Sequence, residues 1–219
     1  MLVKFRIRQN LRFLSHAEMV NVFQRACIRA GIDIRYSRGF NPRPRLSLPL
    51  PKTLGIESDD ELLCLRVNSL PNEPEQRIKA GLCEQLPDGC EMLSVSIARA
   101  NRSFQPCSAA YVFAVKPEYQ NDKLKARVER LMASRSLIMT RAPAPGRRAS
   151  KGRAKSLDVR GFIKSIEIEG ARIVVECKIT FEGSIRVDEI LDLLRLDAQK
   201  LAAPIKRLGA QWKEVRGVN

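Results

Sequence analysis

Arg35, Tyr36, Arg38, Phe40, Arg43, Arg45 and Lys52 crowd one stretch, IRYSRGFNPRPRLSLPLPK, and no acid occurs between Asp33 and Glu57. Guanidinium groups grip phosphates through paired hydrogen bonds, and aromatic rings stack on bases. Pro42 and Pro44 stiffen the stretch and push Asn41 and Arg43 towards extended backbone. Gly39 permits a turn that other residues resist. Such a loop suits a polyanion with stackable bases. The plainer use is a solvated, proline-ordered connection between two core strands. Arginine so concentrated without acids is costly unless something neutralises it, which favours the polyanion.

His16 is the chain's one histidine, four residues after Arg12 and expected at the first position of a helix beside the basic loop. An imidazole there could act as general base in RNA cleavage through a 2′-hydroxyl. No second acid or base accompanies it, and a first-turn position is also simply exposed. No catalytic residue is therefore expected, with His16 the sole candidate. Glu57, Asp59, Asp60 and Glu61 form an acidic run, but consecutive acids at a strand entry cannot all converge on a cation, so a solvated turn is expected. Cys27, Cys64, Cys83, Cys90, Cys107 and Cys177 include no C-x-x-C pair, and their spacing suits neither zinc nor an iron–sulfur cluster. A metal site could come only from distant positions, and the cysteines read as reduced, mostly buried thiols. No cofactor is expected. Trp212 falls in the closing strand and reads as core.

The elements that must position the loop are legible around it. Ser15 and Glu18 make an S-x-x-E capping box. Met19, Val22, Phe23, Ala26, Cys27 and Ala30 then follow helical spacing, and Gly31 marks the stop. Leu2 to Arg8 alternates hydrophobe and cation, a half-buried strand whose outer face carries Lys4, Arg6 and Arg8. Residues 32–36 and 45–48 read as short extended pieces flanking the loop. A strand at 61–67, a helix opened by Pro71 and Pro74, and a strand at 92–98 complete a β-α-β-β-α-β order, the split βαβ of ferredoxin-like folds. The second half repeats the order: a strand at 109–116, a helix at 117–133, a short strand at 137–140, a hairpin at 162–181, a helix at 186–194 capped by Ser184, and a strand at 205–215.

The run FLSH, a helix, and then AGIDIRYSRGFNPRPRLSLPLPKTLGIESDDE resemble the uncharacterised radical SAM-associated family, over roughly residues 4–65. Members are found fused to, or encoded beside, cobalamin-binding-type radical SAM proteins. The resemblance implies an accessory role to a radical SAM enzyme, with gene neighbours in RNA processing and ribosome assembly. The C-x-x-x-C-x-x-C signature of radical SAM catalysis is absent from this chain. Tandem ferredoxin-like domains also resemble the repeat-associated endoribonucleases that process CRISPR transcripts, some of which place a histidine near the first helix.

The expectation is thus an α+β chain of two tandem ferredoxin-like domains, 1–104 and 105–219, the first carrying the basic loop 35–52. The second is interrupted by RAPAPGRRASKGRAKS, 141–156, which has six cations, no acid and no large apolar residue. This segment reads as a flexible arm for phosphates, or else as a solubilising linker. The formal net charge of +15 and isoelectric point near 10.0 agree with a nucleic-acid partner. The start MLVKFRIRQN is no signal peptide, and a cytoplasmic location away from membranes is expected. The expected partners are RNA and a radical SAM protein. The RNA contacts would be Arg12, Arg35, Tyr36, Arg38, Phe40, Arg43, Arg45, Lys52, Arg147, Arg148, Lys151 and Arg153. The alternatives are a metal-independent endoribonuclease using His16, and a module docking an acidic protein.

Overall fold

The computed structural model describes residues 1–68, 74–97, 102–141 and 155–216. It is a strand-rich α+β protein with four α-helices among the described residues, divided into two compact units: Met1–Cys107 with Pro204–Asn219, and Ser108–Ala203.

In the first unit the chain runs β1 (Leu2–Ile7), α1 (His16–Arg29), β2 (Leu46–Ser47), β3 (Glu57–Leu65), α2 (Glu75–Gln85) and β4 (Cys90–Ser96). β1 lies between β4 and β3, antiparallel to both, and β2 pairs with β3. The alternation of β1 sends Val3, Phe5 and Ile7 into the interior. There they join Met19, Phe23, Ala26 and Cys27 of α1 and Ile78 and Leu82 of α2 in one core. The Phe5 and Phe23 rings meet edge to face, with centroids 4.5 Å apart. After α2 the chain turns at Gly89, whose φ is +87°. A Cβ there would sit 2.7 Å from the Arg8 carbonyl oxygen, so only glycine fits beside β1.

The capping box starts α1 where the sequence puts it. The Glu18 amide donates to Ser15 Oγ at 3.2 Å, and the Ser15 amide donates to Glu18 Oε2 at 2.7 Å. Hydrogen bonding from the Ser15 side chain, and then from its backbone amide, holds the Glu18 carboxyl below its ordinary range. Ser15→Ala removes an acceptor for a first-turn amide, and its expected cost is about 1 kcal/mol. Urea unfolding of the variant measures it; an unchanged midpoint would show that the cap contributes nothing.

β5 (Arg102–Ala114) begins in the first unit and continues into the second, across the expected 104/105 boundary. In the second unit it pairs antiparallel with β9 (Arg172–Lys178), which pairs with β8 (Ile163–Glu169). α3 (Asp122–Ala133) is capped by Asn121, whose side chain accepts the Leu124 amide. Leu124, Val128 and Leu131 of α3, and Ile190 and Leu194 of α4 (Val187–Leu194), are buried. Ser184 does not cap α4; its carbonyl accepts from Arg141, while the Glu189 carboxylate accepts the Arg186 amide at 2.8 Å. The closing strand β10 (Lys206–Arg216), expected to complete the second half, groups with the first unit, where Lys206 and Arg207 pair in parallel with Glu57 and Ser58 of β3. In strand order it also neighbours β5.

The expected insertion is narrower than 141–156. Arg141 ends β6 (Ile138–Arg141), and Lys155 and Ser156 open β7 (Lys155–Asp158), its antiparallel partner. Arg141 is no free cation either. Its guanidinium donates to both Glu189 carboxylate oxygens, at 2.6 and 2.8 Å, and to the Ser184 carbonyl at 2.7 Å. Burial alone would raise the Glu189 carboxyl, but Arg141 and the Arg186 amide and charge together outweigh it and hold the group below its ordinary range. Among the described residues no helix is long and apolar enough to cross a membrane.

Candidate nucleic-acid interface

The basic loop folds as a small hairpin on the end of β3. Ile34 bridges Val67, Leu46 pairs with Leu65, and Tyr36 bridges Pro44. Three arginine backbones close a ring at its base. The Arg35 amide donates to the Arg66 carbonyl (2.8 Å), the Arg66 amide to the Arg45 carbonyl (2.9 Å), and the Arg45 amide to the Arg35 carbonyl (2.7 Å). Higher up, the Ser37 amide donates to the Arg43 carbonyl and the Arg43 amide to Ser37 Oγ, at 2.8 and 2.9 Å. Alternation then sorts the side chains. Ile32, Ile34 and Leu48 are buried, while Arg35, Arg38, Arg43 and Arg45 are exposed. Tyr36 is 40% exposed, and Phe40 at the tip is 101% exposed. Gly39 beside it has φ +140°, a conformation that favours glycine.

Five cations on and around β1, β3 and β10 are each paired with a carboxylate. Lys4 pairs with Asp60 at 3.0 Å, Arg6 with Glu91 at 3.3 Å, Arg8 with Asp59, and Arg12 with Glu57 at 3.7 Å. Arg207 closes on Glu61 in a pair with both side chains 4% exposed. The acidic run is therefore not a solvated turn: Glu57, Asp59, Asp60 and Glu61 lie in β3 and each holds a cation. It follows that the outer face of β1 is a row of ion pairs rather than an open basic surface. Among the described residues, no carboxylate pairs with Arg35, Arg38, Arg43, Arg45 or Arg66. Positive charge left unneutralised in this way concentrates on one stiff projection.

Two of the expected contacts belong to the scaffold. Lys52 is 8% exposed. Its ammonium donates to the carbonyls of Arg12 and Leu14 at 2.7 and 2.6 Å, and burial lowers its pKa. Arg12 lies over the Phe13 ring at 4.5 Å and faces Glu57, so its charge is already engaged. His16 is half-buried, and its Nδ1 accepts the Lys52 amide at 3.3 Å. In a neutral ring held this way the proton sits on Nε2. The Nδ1 lone pair is then engaged by the scaffold amide. Together His16 and Lys52 pin the end of the hairpin segment to the start of α1.

The profile of the family described as "Uncharacterized protein conserved in bacteria (DUF2344)" matches residues 1–190. The chain belongs to this family. A search of curated proteins returns no match. In this DUF2344 member the family match takes in the whole arginine hairpin, β3 and both units up to α4.

Arg147, Arg148, Lys151 and Arg153 lie outside the described residues. Arg66 was missed by the sequence reading, although it is the next-to-last residue of the run ELLCLRV. Its place in the backbone ring puts it beside Arg35 and Arg45. Trp212 is half-buried rather than core. The thiols of Cys27, Cys90 and Cys177 are pushed up to about 12, and that of Cys64 to about 11, by burial above all. Such thiols stay protonated at neutral pH and make poor nucleophiles. Cys83 and Cys107 are exposed. Among the described residues no group of three or more His, Cys, Asp or Glu side chains is gathered to hold a metal ion.

Proposed function

We propose that this protein is an RNA-binding accessory protein without catalysis of its own, serving a radical SAM partner in the modification or maturation of ribosomal or transfer RNA. The observation that carries the RNA reading is the hairpin: exposed arginines without acid partners among the described residues, set around two exposed aromatic rings. Elsewhere in the first unit the chain matches cation to carboxylate along β3, and here it does not. The partner rests on the resemblance of residues 4–65 to the radical SAM-associated family. The reading of each half as a split βαβ, the ferredoxin-like arrangement, is supported by the strand orders β4-β1-β3-β2 and β10-β5-β9-β8. A helix connects the first and second strands of each set, and another the third and fourth.

The binding test is photocrosslinking in cells followed by mapping of the attached peptides. The expected crosslinks fall within 35–45, on RNA recovered together with a radical SAM protein. Crosslinks confined to the rest of the chain, or none, would defeat the assignment. A separate incubation of the purified protein with RNA in chelator tests catalysis. No cutting is expected, and His16→Ala should leave RNA affinity unchanged while lowering stability, since it removes the acceptor for the Lys52 amide. Metal-free cleavage that vanishes in His16→Ala would make the protein an endoribonuclease instead.

A further inference from the structure

Phe40 makes no contribution to the fold that its exposure would allow. Its side chain is 101% exposed, at the point of the hairpin farthest along the chain from the β3 anchor. A phenyl ring has no polar atom, so it cannot serve the phosphate contacts of its arginine neighbours. Yet it stands on a rigid mount. The Ser37–Arg43 bonds, the Tyr36–Pro44 bridge, Pro42 and Pro44 restrain the tip on both sides. Rigidity before binding reduces the ordering cost of a contact.

We infer that Phe40 stacks on an unpaired base, so that the hairpin takes single-stranded or looped RNA in preference to continuous duplex. The inference rests on the RNA-binding reading and deepens it. In an A-form duplex each base is covered above and below by its neighbours, and the deep major groove is closed to side chains. An apolar ring has a face to meet only where a base is unstacked. Arg38 lies two residues before Phe40 and Arg43 three after, so the ring is bracketed by cations that can hold the phosphates on either side of the base. An apolar pocket in a protein could also receive a phenyl ring. The run of arginine without acid between Asp33 and Glu57 favours the polyanion.

The test compares a short single-stranded RNA carrying 2-aminopurine with the same strand annealed to its complement, for the wild type, Phe40→Ala and Phe40→Trp. The wild type should bind the single strand more tightly and quench the probe. Phe40→Ala should lose on the order of tenfold or more in single-strand affinity, together with the quenching. Its dependence on salt should stay as steep as before, because no phosphate contact is removed. Phe40→Trp should restore both, and duplex binding should be the same in all three. Phe40→Ala with unchanged single-strand affinity, or with equal losses on single strand and duplex, overturns the stacking inference and leaves RNA binding standing. A wild type that binds neither RNA overturns both.

Discussion

Glu61→Ala should destabilise the protein by about 3–5 kcal/mol, the largest loss expected from any single substitution considered. Glu61 and Arg207 are 146 residues apart in sequence, and each side chain is 4% exposed. Two guanidinium nitrogens converge on one carboxylate oxygen, Nε at 3.0 Å and the terminal nitrogen closer still, while the other terminal nitrogen donates to the Pro51 carbonyl at 3.3 Å. Removing the carboxylate takes the Glu61 charge away from a buried guanidinium. The ammonium of Lys52 also feels the attraction of Glu61, which this second cation then loses. The damage should fall on the parallel pairing of β10 with β3, because Arg207 stands in that register. Replacing both partners, Glu61→Met with Arg207→Met, should recover much of the loss, since an apolar pair strands no charge. Denaturant unfolding of the single and double variants reads the difference. A single variant within about 1 kcal/mol of wild type would mean that solvent reaches the pair.

Arg38→Ala with Arg43→Ala should weaken RNA binding on the order of tenfold to a hundredfold while leaving stability nearly unchanged. Each arginine removed takes away a charge-assisted contact worth about 1 kcal/mol or more. The fold has little to lose, because both side chains are exposed and have no carboxylate partner among the described residues. The backbone bonds of Arg43 to Ser37 survive the change to alanine. The contrast with Glu61 is the point: a cation built into the scaffold and a cation held out for a ligand should fail in opposite ways. Parallel measurement of RNA affinity and unfolding separates them. Unchanged affinity in the arginine variant would show that the hairpin is not the RNA contact.

The parts of the fold written in local spacing were legible in the sequence. The Ser15–Glu18 box and the apolar stripe from Met19 to Cys27 act within a few residues, and α1 starts and runs as they dictate. The alternation of Leu2 to Ile7 likewise fixes the buried side of β1. Charge was harder to read because its partners are remote. Glu57, Asp59, Asp60 and Glu61 looked like a solvated turn because acids mask strand alternation. Their β3 placement becomes intelligible once Arg12, Arg8, Lys4 and Arg207 are set against them. Lys52 and Arg141 were counted as free cations, but each is held by groups that only folding brings near. The hairpin's own arginines were visible as a run without acids. That Arg66 joins them depends on a backbone ring that no spacing rule contains.

The most direct measurement of the central claim is the salt dependence of binding to single-stranded RNA, for the wild type and for Arg38→Ala with Arg43→Ala. For the wild type, log K should fall linearly with log salt, steeply enough to account for several phosphates. If the two arginines each neutralise one phosphate, the variant's slope should be shallower by about 1.4. Binding that is flat in salt, or a variant slope equal to that of the wild type, would contradict the claim that these arginines hold the RNA backbone.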